Sequence, residues 1–270
     1  MPITADFHAH SVNSFDGHDS MESLVVAALE RRLDCLCFTE HMDKDYQIAP
    51  DVFHSETPLD MDAYKKEIFR LQEKYAGRID IGFGIEIGMQ PHLKEENSSF
   101  VAGEAFDFVI ASKHMVGGSD PYYFTPEDPR TDDQLYRQYF EEQLKCMESF
   151  DDFDVYGHLD YVVRYGRSKE YAFDRYADLL IPMLDILITK GKGIELNTCA
   201  IRKGLREMNP CCRLLREYRN RGGEVITVGS DAHWAKDVAG DFAMAEEILR
   251  NCGFDAYCTF SLRQPIFHKL

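Results

Sequence analysis

Seven short apolar runs divide this chain, and segments with helical spacing lie between them. The runs are Ile3 to Phe7, Cys35 to Thr39, Ile79 to Ile85, Phe106 to Ala111, Phe153 to Tyr156, Gly193 to Leu196 and Val225 to Val228. Helical periodicity marks Leu24 to Arg32, Tyr64 to Tyr75, Thr131 to Phe150, Ala172 to Lys190, Pro210 to Arg221 and Phe242 to Asn251. Strands that alternate with helices pair in parallel, because each crossover returns the chain to the same edge of the sheet. The pattern predicts seven βα units and a closed or nearly closed α/β barrel; a doubly wound open sheet is the alternative. At 270 residues with no break in composition, residues 1–270 read as one domain.

The second constraint lies at the C-terminal end of each run. His8 and His10 close the first, two apart and so on one face of an extended chain. His41 comes after the second run, Glu86 after the third, His114 after the fourth and His158 after the fifth. Asn197 ends the sixth, and Asp231 and His233 come after the seventh. In a βα barrel all of these points lie at the C-terminal mouth, where active sites form. His18, His54, His92 and His268 fall instead in loops or the tail.

Imidazole and carboxylate ligands without thiolate suit Zn, Mn or Fe. With Asp16, in the loop after the first run, there are nine potential ligands. One metal needs three or four, so nine imply two or three divalent ions. Adjacent ions activate a bridging water and stabilise attacking and leaving oxygens in phosphoryl transfer.

The net charge of -17 disfavours a nucleic-acid partner, although bound cations would offset part of it. No apolar run is long enough to span a membrane, and the start lacks the pattern of a signal peptide. The eight cysteines contain no C-x-x-C pair and read as reduced thiols of a cytoplasmic protein, with Cys35 and Cys37 packed in the core. Two connections are too long for ordinary βα loops and are expected to be functional. One runs over residues 42–60, with Pro50 and Pro58; the other runs over 115–130, with Gly117, Gly118, Pro121, Pro126 and Pro129. The tail from Cys258 to Leu270 has no clear pattern.

His8-x-His10, Thr39-Glu40-His41, Glu86, His114, Gly157-His158 and Gly229-Ser230-Asp231-Ala232-His233 together resemble the polymerase and histidinol phosphatase (PHP) superfamily, in order and across nearly the whole chain. The stretches from Gly157 to Gly166 and from Gly193 to Leu205 are similar to the PHP-type histidinol-phosphate phosphatases. The resemblance implies a distorted (βα)7 TIM-like barrel with a trinuclear site. One metal would take His8, His10, Glu86 and Asp231. A second would share Glu86 and take His114 and His158. The third would take Asp16, His41 and His233. A bridging hydroxide would attack the phosphorus, and Asp231 or His233 would relay a proton to the leaving alkoxide.

Phosphate needs donors. Arg164 and Arg202 lie just beyond the fifth and sixth strand ends, where a guanidinium can make bidentate contacts to phosphate oxygens; a lone arginine in a loop is ordinarily just solvated, and the motif context raises these two. Lys203 is a weaker candidate. Glu195 and Asn197 share one face, directed towards the substrate's amino alcohol or towards the residues behind the metals. Asp160 and Glu40 are expected to orient His158 and His41, and Asp6 to support His8. The expected activity is therefore metal-dependent hydrolysis of a small phosphate monoester, L-histidinol phosphate, in histidine biosynthesis. Alternatives are a PHP phosphoesterase for nucleotides or other small phosphoesters, a proofreading nuclease, an amidohydrolase built around a bridging lysine, and a non-catalytic PHP-derived interaction module.

Overall fold

The computed structural model describes residues 2–49, 52–53, 59–124 and 128–270. Seven strands form one parallel sheet in sequence order: β1 (Ala5–Asp6), β2 (Cys35–Met42), β3 (Asp80–Gly88), β4 (Phe108–Ser112), β5 (Val155–Tyr156), β6 (Gly193–Asn197) and β7 (Ile226–Gly229). The last strand bonds back to the first. The Phe7 amide donates to the Val228 carbonyl at 3.0 Å, Asp231 to His8 at 2.8 Å and His10 to Ala232 at 2.8 Å. The sheet therefore curls into a barrel rather than staying open, and all seven expected strands are present.

Among the described residues eight α-helices accompany the sheet: α1 (Met21–Glu30), α2 (Met61–Lys74), α3 (Lys94–Ala102), α4 (Asp132–Ser149), α5 (Ala177–Thr189), α6 (Cys199–Arg202), α7 (Cys212–Asn220) and α8 (Phe242–Asn251). α4 starts on a reciprocal cap, Thr131 with Gln134, which satisfies amides the first turn leaves unpaired. Ser20 caps α1. Asp19 accepts the Ala235 amide at 2.8 Å and ties the loop after β7 to the loop after β1. α3 was not foreseen, because its polar sequence, with Asn97 and Val101 the buried residues, carries almost no apolar periodicity.

The core is the barrel interior and the ring between strands and helices. Phe7, Phe38 and Phe108 are buried, Tyr64 reaches across to the Phe38 and Gly84 carbonyls, and Cys37 packs beneath them as expected. The tail is structured, contrary to its patternless sequence. β8 (Ala256–Ser261) and β9 (Gln264–Lys269) form an antiparallel hairpin. Arg263 in its turn bonds Asp154 at 2.6 Å, and Phe260 stacks on Phe108 at 5.0 Å. These are contacts to the opposite end of the strands from the histidines, so the hairpin supports the barrel and not the site.

Within the first long connection, Gln47–Ala49 pairs with Val52–Phe53. Pro50, His54, Pro58 and Pro126 lie outside the described residues. Among the described residues no cysteine is in a disulfide, and no helix is long and apolar enough to cross a membrane.

Candidate active site

Parallel register brings the strand-end residues together. His41 in β2 is the Cα partner of Glu86 in β3, so the two side chains leave the sheet side by side. His8 and His10 follow β1, His114 follows β4, and His158 and Asp231 follow β5 and β7 by two residues. All nine expected ligands converge. Glu86 sits in the middle: its Oε2 is 3.2 Å from His8 Nε2, 3.5 Å from His10 Nε2 and 3.1 Å from His41 Nδ1. Its Oε1 is 2.9 Å from His158 Nε2 and 3.3 Å from His114 Nε2. Asp231 Oδ1 lies 3.7 Å from His8 Nε2 and 3.5 Å from His10 Nε2. Asp16 bridges the outer pair, 3.0 Å from His233 Nε2 and 3.6 Å from His41 Nε2.

The electrostatics explain why such a cluster calls for cations. His8, His10 and Glu86 are wholly buried, and an unpaired buried carboxylate costs several kcal/mol. Burial alone would raise Glu86, yet the charges of His8, His114 and His41 hold it well below the usual carboxylate range. Burial, with His41 and His233 nearby, pulls His10 down to about 3, which leaves its lone pair available. His8 Nε2, His10 Nε2 and Glu86 Oε2 are buried without a hydrogen-bond partner and face one another. Four triads with all donor atoms within 4.8 Å lie here: His8/His10/Glu86, His8/His158/Asp231, His41/Glu86/His114 and His10/His41/His233. Imidazole and carboxylate atoms at these separations fit divalent metal ions.

The surrounding residues aim the ligands. His8 Nδ1 lies 2.6 Å from Glu195 Oε1, and the other Glu195 oxygen accepts the His158 amide at 2.9 Å. A Cβ at Gly229 would overlap both Glu195 Oε1 and His8 Cβ, so the turn after β7 needs glycine. Asp231, in that turn, has φ +53°, a left-handed conformation that costs a non-glycine residue about 1–3 kcal/mol and is typical of functional sites. Asp6 accepts the Ser230 and Ala239 amides at 2.9 and 2.8 Å and holds the same turn. Glu40 takes the amide and hydroxyl of Ser11 and the hydroxyl of Ser14. Ser14 in turn meets the His41 amide at 2.9 Å and His10 Nδ1 at 3.2 Å, so Glu40 reaches His41 through Ser14.

Asp160 does not orient His158. It accepts from Asn209, the Cys211 amide and Tyr171. Sequence reasoning missed Asp43, whose two oxygens lie 3.0 Å from His41 Nδ1 and 2.8 Å from His114 Nδ1. A Cβ at Gly88 would collide with that carboxylate. The only sequence signal for Asp43 was its place two residues after His41. Lys113 is buried and pairs with Glu142 at 3.0 Å, away from the histidines, so it bridges no metals and the amidohydrolase alternative loses its lysine.

A cavity of about 660 Å³ opens over the cluster, lined by ligands, by Arg164 and Arg202, and by Phe15, Tyr46, Tyr122, Tyr165, Trp234 and Asp120. Arg164 is buried, with Nη1 3.3 Å from Asp231 Oδ2. Arg202 stands at the rim, bonded to the Ser230 carbonyl. Asn197 was expected to face the substrate's amino alcohol or the residues behind the metals; it is fully buried, and its side-chain bonds run to the latter. Its amide oxygen accepts from Arg164 Nη2 and the Cys199 amide, and its nitrogen donates to Glu195 and Asp231.

The chain is similar to proteins of one family along its length. The family model described as PHP domain matches residues 6–199. The histidinol-phosphatase of Lactococcus lactis subsp. lactis is 32% identical over 259 residues, 95% of this chain and 94% of the relative. The histidinol-phosphatase of Bacillus subtilis is 24% identical over 92% of this chain and 98% of that protein. The crystal structure of histidinol phosphate phosphatase from Lactococcus lactis, complexed with Zn, L-histidinol and phosphate, superposes with a TM-score of 0.87. That match has 31% identity and covers 97% of this chain and 98% of the other.

Proposed function

The chain belongs to the PHP domain family, and from that premise we propose that it is a histidinol-phosphatase, hydrolysing L-histidinol phosphate to L-histidinol and phosphate. The observation that carries this reading is the position of Arg164: a buried guanidinium beside Asp231, at the wall of a cavity floored by the imidazole–carboxylate cluster. Divalent ions there would supply positive charge for the phosphate oxygens and acidify a water molecule for attack on phosphorus.

Two or three ions, Zn, Mn or Fe, suit the donor set. His8, His10, Glu86 and Asp231 would hold one, Glu86, His114 and His158 a second, and Asp16, His41 and His233 a third. Arg164 and Arg202 orient the phosphate through paired N–H donors. Asp231 or His233 would relay the proton to the leaving alkoxide, and their Oδ1 and Nδ1 lie 3.7 Å apart. The organic half of the substrate is a flat imidazole with an amino alcohol. The aromatic walls suit the ring, and Asp120, whose carboxylate lies against Tyr46, suits a cationic amine.

Phosphate release from a panel of monoesters after metal loading tests the proposal. Histidinol phosphate should exceed nucleotides and aryl phosphates in kcat/KM. If it ranks no better than they do, the substrate reading fails. Metal analysis of the loaded protein should give two or three ions per chain, and a third ion held by Asp16 should be lost in Asp16→Ala.

A further inference from the structure

We propose that Asn209 is a positioning residue for Arg164, fixing the guanidinium in the phosphate site without cancelling its charge. This rests on the proposed function, in which Arg164 is a phosphate ligand.

Asn209 lies in the segment between α6 and α7 and is 1% exposed. Its backbone pairs with that of Asn197 in both directions, at 2.7 and 3.1 Å, which docks the segment on the end of β6. Its side-chain oxygen accepts from Arg164 Nε at 2.8 Å, and its nitrogen donates to Asp160 Oδ1 at 2.6 Å. The amide thus has one workable orientation, because a flipped amide would set donor against donor at Arg164 and acceptor against acceptor at Asp160. Asp160 is itself anchored by the Cys211 amide at 2.9 Å and the Tyr171 hydroxyl at 3.0 Å.

Arg164 is therefore held at three points: Nε by Asn209, Nη2 by the Asn197 amide oxygen at 2.9 Å and Nη1 by Asp231 at 3.3 Å. Its plane rests over the Tyr161 ring, 5.1 Å from the centroid. A guanidinium has five N–H donors, so two remain for a ligand in the cavity that Arg164 lines. Two of the three anchors are neutral amides. They fix direction as carboxylates would without adding negative charge beyond that of Asp231. Asp160 supplies the negative anchor one residue further back. Without the Nε anchor, Asp231 is the remaining charged partner, and the guanidinium is drawn onto it and out of the geometry for phosphate.

The test is a double-mutant cycle in the metal-loaded enzyme with histidinol phosphate: Asn209→Ala, Arg164→Ala and both together. Asn209→Ala should lower kcat/KM about tenfold or more, the range of a charge-assisted hydrogen bond, with metal content unchanged. Inhibition by inorganic phosphate should weaken in parallel. In the Arg164→Ala background the Asn209 effect should vanish. An Asn209 effect that persists there, or no effect of Asn209→Ala alone, overturns the inference. An Arg164→Ala enzyme with unchanged kcat/KM and phosphate inhibition would instead sink the parent reading of Arg164. If Asn209→Ala does not yield folded protein, Asn209→Ser goes through the same cycle with the same criteria.

Discussion

Glu195 and His8 are joined across the barrel by a 2.6 Å contact between Oε1 and Nδ1, 187 residues apart in sequence. The contact fixes the imidazole so that Nε2 faces Glu86 and Asp231. A carboxylate behind a metal-binding histidine also raises the basicity of the ligating nitrogen. Glu195→Gln should therefore weaken metal affinity about 10- to 100-fold. Competition with a chelator measures this, and a variant that retains its metals as tightly as the parent would remove Glu195 from that role.

Glu86 faces five histidines through its two oxygens. Glu86→Ala should lose coordination for two ions at once and abolish turnover. Elemental analysis gives the ion count, and restoration of activity by excess metal alone would show that the carboxylate is dispensable.

Asp43 meets the Nδ1 atoms of both His41 and His114. Asp43→Ala should behave like a lost ligand-orienting carboxylate, with metal affinity down about tenfold or more and kcat recovering at high metal concentration. A kcat deficit that no metal concentration repairs would place Asp43 in the chemistry instead.

Arg202 lines the cavity, and in the proposed function it holds phosphate equally in ground state and transition state. Arg202→Ala should mainly raise KM, about tenfold, with kcat little changed. Steady-state kinetics decide, and a pure kcat loss at normal metal content contradicts the assignment.

Away from the site, Glu22 ties α1 to α2 through Lys74, Arg70 and Tyr75. The hydrogen bond from Lys74, with those from Arg70 and Tyr75, lowers its carboxyl from 4.5 to about 2. The folded state binds its proton less readily, so the contribution is present above pH 4.5 and is lost as pH falls towards 2. Glu22→Gln should lower Tm at pH 7, and the gap to the parent should close over that window. A gap independent of pH would mean that the charge is not its source.

How much of the molecule was legible in the chain depends on the range of the interaction concerned. The strand ends were legible because a strand has period two and a barrel puts every strand's C-terminal end at one mouth. His8, His10, Glu86, His158 and Asp231 follow from those two local facts. α3 was not, since a helix with little apolar periodicity leaves no moment to read. The C-terminal hairpin was missed because β9 is largely exposed and lacks the alternation of a half-buried strand.

By itself the sequence determined seven parallel strands alternating with helices, the nine ligand candidates at their ends and the placing of two arginines just beyond them. Those features are repeated along the chain and need no knowledge of what meets what. Only the tertiary structure decided that Asn197 serves Arg164 rather than substrate, that Asp160 serves Asn209 rather than His158, and that Asp43 meets two histidines. Such pairings depend on side-chain directions fixed by contacts between residues tens of positions apart, and no local pattern encodes them.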